Sequence, residues 1–153
     1  MDEIDRNILI AVQKDGAAGL AELAKVAGLS VSATAERIKR LEERHTIRGW
    51  RADLDPAAIG CPLLAFLFVS TAPLQEEAFE AVARELEPVL ECHRVTGAWS
   101  FMLKVRTPTM SALEQLIDEE LRGRKEVRKI KLLIATSSAK ETSILPISEA
   151  DEE

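Results

Sequence analysis

The sequence predicts an α+β fold: an N-terminal winged helix-turn-helix followed by a ferredoxin-like βαββαβ α/β-sandwich. Three observations carry the prediction. Apolar residues recur at helical spacing through the first third of the chain. Two short helices there are separated by only Gly28-Leu29-Ser30. Beyond residue 62 the pattern alternates between strand and helix in the order β-α-β-β-α-β. The expected organisation is 1–54 for the helical domain, 55–61 for a linker, 62–147 for the sandwich and 148–153 for an acidic tail read as disordered.

In the first helix Ile4, Ile8, Leu9 and Val12 share one face behind Asp2, an acceptable N-cap, and Asp15-Gly16 stops it. Leu20, Leu23, Ala24 and Ala27 mark a second, shorter helix ended by Gly28. Ser30 caps a third, with Thr34, Ile38 and Leu41 inward. A tight Gly-containing turn between two short helices is the helix-turn-helix unit; an ordinary helical hairpin has the same spacing. Ile47 to Leu54 reads as extended chain around Gly49, and a short hairpin there would be the wing. Asp55-Pro56 opens a helical turn or linker that Gly60 ends.

In the second part, Leu63 to Thr71 is a strand and Gln75 to Leu86 a helix with Phe79, Val82, Ala83 and Leu86 on one face. Val89 to Thr96 and Trp99 to Arg106 are strands joined by Gly97-Ala98. Ser111 to Leu121 is a helix with Leu113, Leu116, Ile117 and Leu121 inward, and Val127 to Thr136 is the last strand. Right-handed crossovers put both helices on one face of the sheet. The first strand is apolar on both faces, with Leu63, Ala65, Leu67 and Val69 on one and Leu64, Phe66 and Phe68 on the other. The second face therefore needs a cover: the same sheet of another subunit, over about 500 Å² or more, or the N-terminal helices of the same chain.

The 153 residues carry 20 basic and 26 acidic side chains, a net charge of −6, which argues against a uniformly basic nucleic-acid binder. The distribution reverses that argument locally. Window 37–51 holds Arg37, Lys39, Arg40, Arg44, Arg48 and Arg51 against Glu42 and Glu43, an excess of +4 on the third helix and the expected wing. A helix-turn-helix presents its third helix to the major groove and its wing to the backbone, where such cations would neutralise phosphates of double-stranded DNA. Ser30 to Ala33 offer free N–H groups at the helix start. The base-reading candidates are Ser32, Ala33, Ala35, Glu36 and Arg37. Glu36 disfavours phosphate unless it contacts a base or pairs with Arg40. The bland alternative is a solvated basic face.

Other classes find little support. Two cysteines 31 positions apart make neither a disulfide framework nor a four-thiolate zinc site, so no metal or other cofactor is expected and the cytoplasm is the simplest location. The acidic N-terminus does not resemble a secretory signal. The uncharged stretch Pro56 to Gln75 contains three prolines and is read as a buried strand with loops rather than a membrane span. Cys92 and His93 are adjacent on a strand and point to opposite faces, so they form no nucleophile–base pair and no enzyme is expected.

The segments Asp2-Glu-Ile-Asp-Arg-Asn-Ile-Leu9, Leu20 to Ser30, Ala35 to Glu43, Ile47-Arg-Gly-Trp50, Glu91-Cys-His-Arg-Val-Thr-Gly97 and Phe101-Met-Leu-Lys-Val105, in this order and spacing, resemble the leucine-responsive and asparagine-synthase regulator family, written Lrp/AsnC. The resemblance runs from Asp2 to about Ile147. It implies a transcription regulator that senses amino acids, dimerises through the sandwich and in many members assembles into octamers. It also implies an effector between subunits, at Thr96, Gly97, Ala98, Trp99 and Ser100 and at Thr136, Ser137 and Ser138. Ala98 and Ser100 stand where many amino-acid-responsive members carry acidic residues, so a ligand ammonium would lack its counter-charge. Trp99 offers an apolar wall or cation–π face instead. The departure argues for a different effector or none. The alternatives are an effector-independent architectural DNA-binding protein and a tetrapyrrole-handling enzyme of the same architecture.

Overall fold

A computed structural model describes residues 1–147, so the expected tail 148–153 lies outside the described residues. The chain divides into two compact units: the first joins residues 1–53 with the segment from Lys140, and the second is Leu54–Ala139.

The first unit contains α1 (Glu3–Lys14), α2 (Leu20–Ala27) and α3 (Val31–Glu43). Asp2 caps α1 by accepting the Asp5 N–H at 2.8 Å. Gly28 ends α2 at φ +64°, the left-handed conformation that glycine adopts without a Cβ penalty. Ser30 caps α3 by accepting the Ala33 N–H at 3.2 Å. Thr34, fully buried, donates its hydroxyl to the Ser30 carbonyl at 3.0 Å, so the polar group is satisfied inside the core. Ile8, Leu9, Leu23, Ala27, Ile38 and Leu41 form that core. Leu20 is expected with them but is 43% exposed, because it begins α2 one turn beyond the packed region.

Two expectations for this unit are corrected. No strand forms between α3 and residue 62, so Ile47 to Leu54 is an unpaired segment and not a wing hairpin. Residues 140–147 group with the helices rather than with the sandwich. The side-chain amide of Gln13 holds them at two points, donating to the Leu145 carbonyl at 3.2 Å and accepting the Leu145 N–H at 2.7 Å. Ile147 also packs against the helical core.

The second unit begins with a turn at Pro56–Gly60, closed by the Cys61 N–H on the Pro56 carbonyl. Then follow β1 (Leu63–Thr71), α4 (Glu76–Glu85), β2 (Val89–Arg94), β3 (Phe101–Thr107), α5 (Met110–Gln115) continuing as a π-helix over Leu116–Leu121, and β4 (Val127–Ile134). The sheet is antiparallel in the order β2-β3-β1-β4. Both helical segments pack on one face, over Ala65, Leu67 and Val69 of β1 and Phe101, Leu103 and Val105 of β3. Phe79 and Phe101 meet at 4.9 Å between ring centroids at the centre. The loop between β2 and β3 is longer than expected, because Gly97 at φ +103° breaks the pairing and the register resumes at Arg94–Phe101. Phe66, Phe68 and Met102 lie on the face turned away from the helices and are only half-buried.

Candidate nucleic-acid interface and effector site

The exposed side of α3 carries Ser32, Glu36, Lys39 and Arg40, with Ala33 and Ala35 half-buried beside them. Arg40 Nε lies 3.4 Å from Glu36 Oε1 and Lys39 Nζ lies 3.8 Å from Glu43 Oε1. All four side chains are more than half exposed, so these pairs hold weakly and a phosphate or base can displace them. Ser30 spends its hydroxyl on the cap, with Ser32 Oγ 3.2 Å away. Arg44, Arg48 and Arg51 follow in sequence and are exposed as well.

Arg37, expected among the base-reading residues, also forms ion pairs within the helical unit. Its Nη1 donates to Asp2 Oδ2 at 2.6 Å and to Asp5 Oδ1 at 2.7 Å, tying the middle of α3 to the start of α1. The Asp5 backbone N–H and the Arg37 guanidinium hold the Asp2 carboxyl below the usual carboxylate range, and the two carboxylates raise Arg37. The groups lie 32 to 35 positions apart in sequence, so only the packing of α1 on α3 reveals the contact. A second contact unforeseen from sequence is Trp50 Nε1 donating to Glu42 Oε1 at 2.7 Å.

The expected effector residues fall into two separate groups. Thr96, Gly97 and Ala98 are exposed in the β2–β3 loop. Trp99 is half-buried with its ring tilted 58° against Phe68, at 6.3 Å. Ser100 is engaged: its N–H donates to the Val69 carbonyl, and its Oγ accepts the Thr71 N–H at 3.1 Å and the Thr71 hydroxyl at 3.0 Å. That loop therefore sits at the end of β1. Thr136, Ser137 and Ser138 follow β4, whose Ile134 pairs with Ala65 near the start of β1. Six residues of β1 separate the two levels, about 20 Å at strand rise. One chain does not bring them together. Two surface grooves, of about 300 and 430 Å³, lie between α5–π-helix and β4 and between α4 and β2, and contain neither group.

Cys92 pairs opposite Leu103 on the helix-covered side and His93 opposite Met102 on the other, so they diverge. Burial pushes the Cys92 thiol pKa up, and it stays protonated at neutral pH. His93 and Lys104 contact Glu91 at 3.1 and 3.2 Å and hold its carboxyl below the usual range. Among the described residues no helix is long and apolar enough to cross a membrane.

Comparison with known proteins agrees with this geometry over both units. Residues 1–42 match the model of the AsnC-type helix-turn-helix domain, and residues 64–145 match that of the Lrp/AsnC ligand binding domain. The leucine-responsive regulatory proteins of Salmonella typhimurium and Escherichia coli K12 are each 37% identical over 150 residues, covering 96% of this chain and 92% of theirs. A Neisseria meningitidis transcriptional regulator solved as an L-Met complex superposes with a TM-score of 0.90 at 28% identity, covering 95% of this chain and 96% of that one. Escherichia coli AsnC superposes with a TM-score of 0.87 at 25% identity, covering 95% and 99%. With a helix-turn-helix, a four-stranded sandwich and relatives alike over nearly their whole length, the chain belongs to the Lrp/AsnC family of transcription regulators.

Proposed function

We propose that the chain acts in the cytoplasm as a homodimer that reads double-stranded DNA through the exposed face of α3. Lys39, Arg40, Arg44, Arg48 and Arg51 contact phosphates, and Ser32, Ala33, Ala35 and Glu36 face the bases. The observation that carries the reading is the run of exposed cations from Lys39 to Arg51 on an otherwise acidic chain. The acidic remainder repels DNA and leaves this run as the approach. The half-buried Phe66, Phe68 and Met102 supply an apolar surface for a second copy, and octamers arise by further association of dimers. A gel-shift titration over DNA from its own upstream region tests the reading. A specific complex that weakens steeply with salt supports it; no salt-sensitive specific complex overturns it.

An effector site, in this proposal, joins the 96–100 loop of one copy to residues 136–138 of another. The separation of the two groups within one chain supports a shared site. The Neisseria relative binds L-Met. Here Ala98 supplies no charge, and Ser100 Oγ uses its acceptor sites on the Thr71 N–H and hydroxyl, which leaves only its O–H and no acceptor for a ligand ammonium. These observations favour a second reading, a DNA organiser without an amino-acid response. Calorimetry with the twenty amino acids separates the two: sub-millimolar binding of any one of them removes the second reading.

A further inference from the structure

We infer that Glu42 is a positioning residue for DNA binding: it anchors Trp50 and so fixes the unpaired segment that carries Arg48 and Arg51 beside the end of α3. The segment has no strand partner; its first residue, Ile47, donates its N–H to the Leu41 carbonyl at 3.1 Å and packs on the helical core, but no ladder continues along it as in a hairpin. Beyond Ile47, the side-chain tie that reaches Arg48 and Arg51 is the 2.7 Å bond from Trp50 Nε1 to Glu42 Oε1, a charge-assisted hydrogen bond from a donor-only ring to a carboxylate. The indole ring also reaches the turn after α1, where a Cβ on Gly16 would stand 3.8 Å from Trp50 Cε3. Trp50 is thus seated between the α1–α2 turn and the last turn of α3, although 45% of it is exposed.

The charge environment makes this arrangement informative. Glu42 lies in a window with six cations, and Glu43 beside it pairs with Lys39. Glu42 instead takes an uncharged N–H from eight residues away. A carboxylate within a phosphate-binding face opposes DNA by simple electrostatics. Its presence there is accounted for if holding Arg48 and Arg51 in place contributes more than its charge takes away. Anchoring and electrostatics then give opposite signs for the same substitution.

The experiment compares full-length Glu42→Leu, Glu42→Gln and Trp50→Phe with the wild type. Glu42→Gln keeps an acceptor oxygen for Trp50 and removes the charge; Glu42→Leu removes both. A Trp99→Phe background leaves Trp50 as the sole tryptophan, so acrylamide quenching of its emission reads the anchor without DNA. Circular dichroism checks that each variant is folded. Anchoring predicts faster quenching in Glu42→Leu and wild-type quenching in Glu42→Gln. It also predicts weaker DNA binding in Glu42→Leu and Trp50→Phe, and binding at least as tight as wild type in Glu42→Gln. With two arginines released, the slope of log affinity against log salt falls by up to about 1.8 per protomer, roughly a tenfold smaller loss between about 50 and 200 mM salt. If Glu42→Leu binds DNA as tightly as Glu42→Gln, Glu42 acts only as a charge and the inference fails. Unchanged quenching in folded Glu42→Leu overturns it even where no DNA complex forms, which keeps it separate from the DNA-binding proposal.

Discussion

Substituting Gly28 by Ala isolates the turn that makes the helical unit a helix-turn-helix. Gly28 sits at φ +64°, ψ +30°, and a Cβ built there meets no heavy atom within 4 Å. The cost is therefore conformational rather than steric. The left-handed conformation costs an L-residue about 1–2 kcal/mol. The reduced freedom of the unfolded chain returns about 0.4–1 kcal/mol. The expected net loss is about 1 kcal/mol. Gly19 supplies the control: it also has open space around it, but its φ is −72°, which any residue adopts. Gly19 is also the N-cap of α2, where Gly is preferred to Ala by about 0.5–1 kcal/mol, so this offsets the unfolded-state gain of about 0.4–1 kcal/mol and Gly19→Ala should be close to neutral. Urea unfolding followed by Trp50 emission in the Trp99→Phe background reports on the helical unit. The backbone bond from the Leu29 N–H to the Ala24 carbonyl does not depend on the side chain, so the turn persists. DNA affinity at temperatures where the variant is folded should then change less than about twofold, well under the 1.4 kcal/mol that a tenfold change requires. Equal costs at both glycines would refute the conformational argument. A large affinity loss at Gly28 would show that the turn steers α3 beyond closing α2.

Phe68→Asp places a carboxylate on the sheet face proposed for dimerisation, and sedimentation should then show a monomer; a stable dimer would locate the interface elsewhere. Gln13→Leu removes both hydrogen bonds to Leu145 and should cost about 1–2 kcal/mol, read by urea unfolding, while β1 amides keep their exchange protection. The Asp5 backbone N–H and the Arg37 guanidinium lower the Asp2 carboxyl pKa in the fold below the ordinary aspartate value. Its contribution is therefore present above that value and lost as pH falls through the folded value. The stability difference between wild type and Asp2→Asn should be constant near neutral pH and vanish in that acid window, as measured by denaturation at a series of pH values. Cys92, with its thiol pKa raised by burial, should react more slowly than a free thiol with an alkylating reagent at mildly basic pH.

Periodicity and turn chemistry alone specified the helices and strands. Ile8, Leu23, Ile38 and Leu41 announce a helical core by spacing, and the doubly apolar β1 announces a central strand, because side-chain burial repeats with the local backbone period. Local charge density likewise marked the run of cations from Lys39 to Arg51. What sequence left undecided depends on contacts between distant positions. Arg37 reads as an exposed cation, and only the packing of α1 on α3 reveals its ion pairs with Asp2 and Asp5. Ile47 to Leu54 reads as a wing until pairing is required and none exists. Ser100 reads as an effector-site residue with no charge to offer, and only the fold shows its Oγ accepting from Thr71. Residues 140–147 read as a continuation of the sandwich until Gln13 receives them. In each case the side chain has several chemically reasonable partners. Local propensity ranks conformations, not partners, and only the packed chain selects among them.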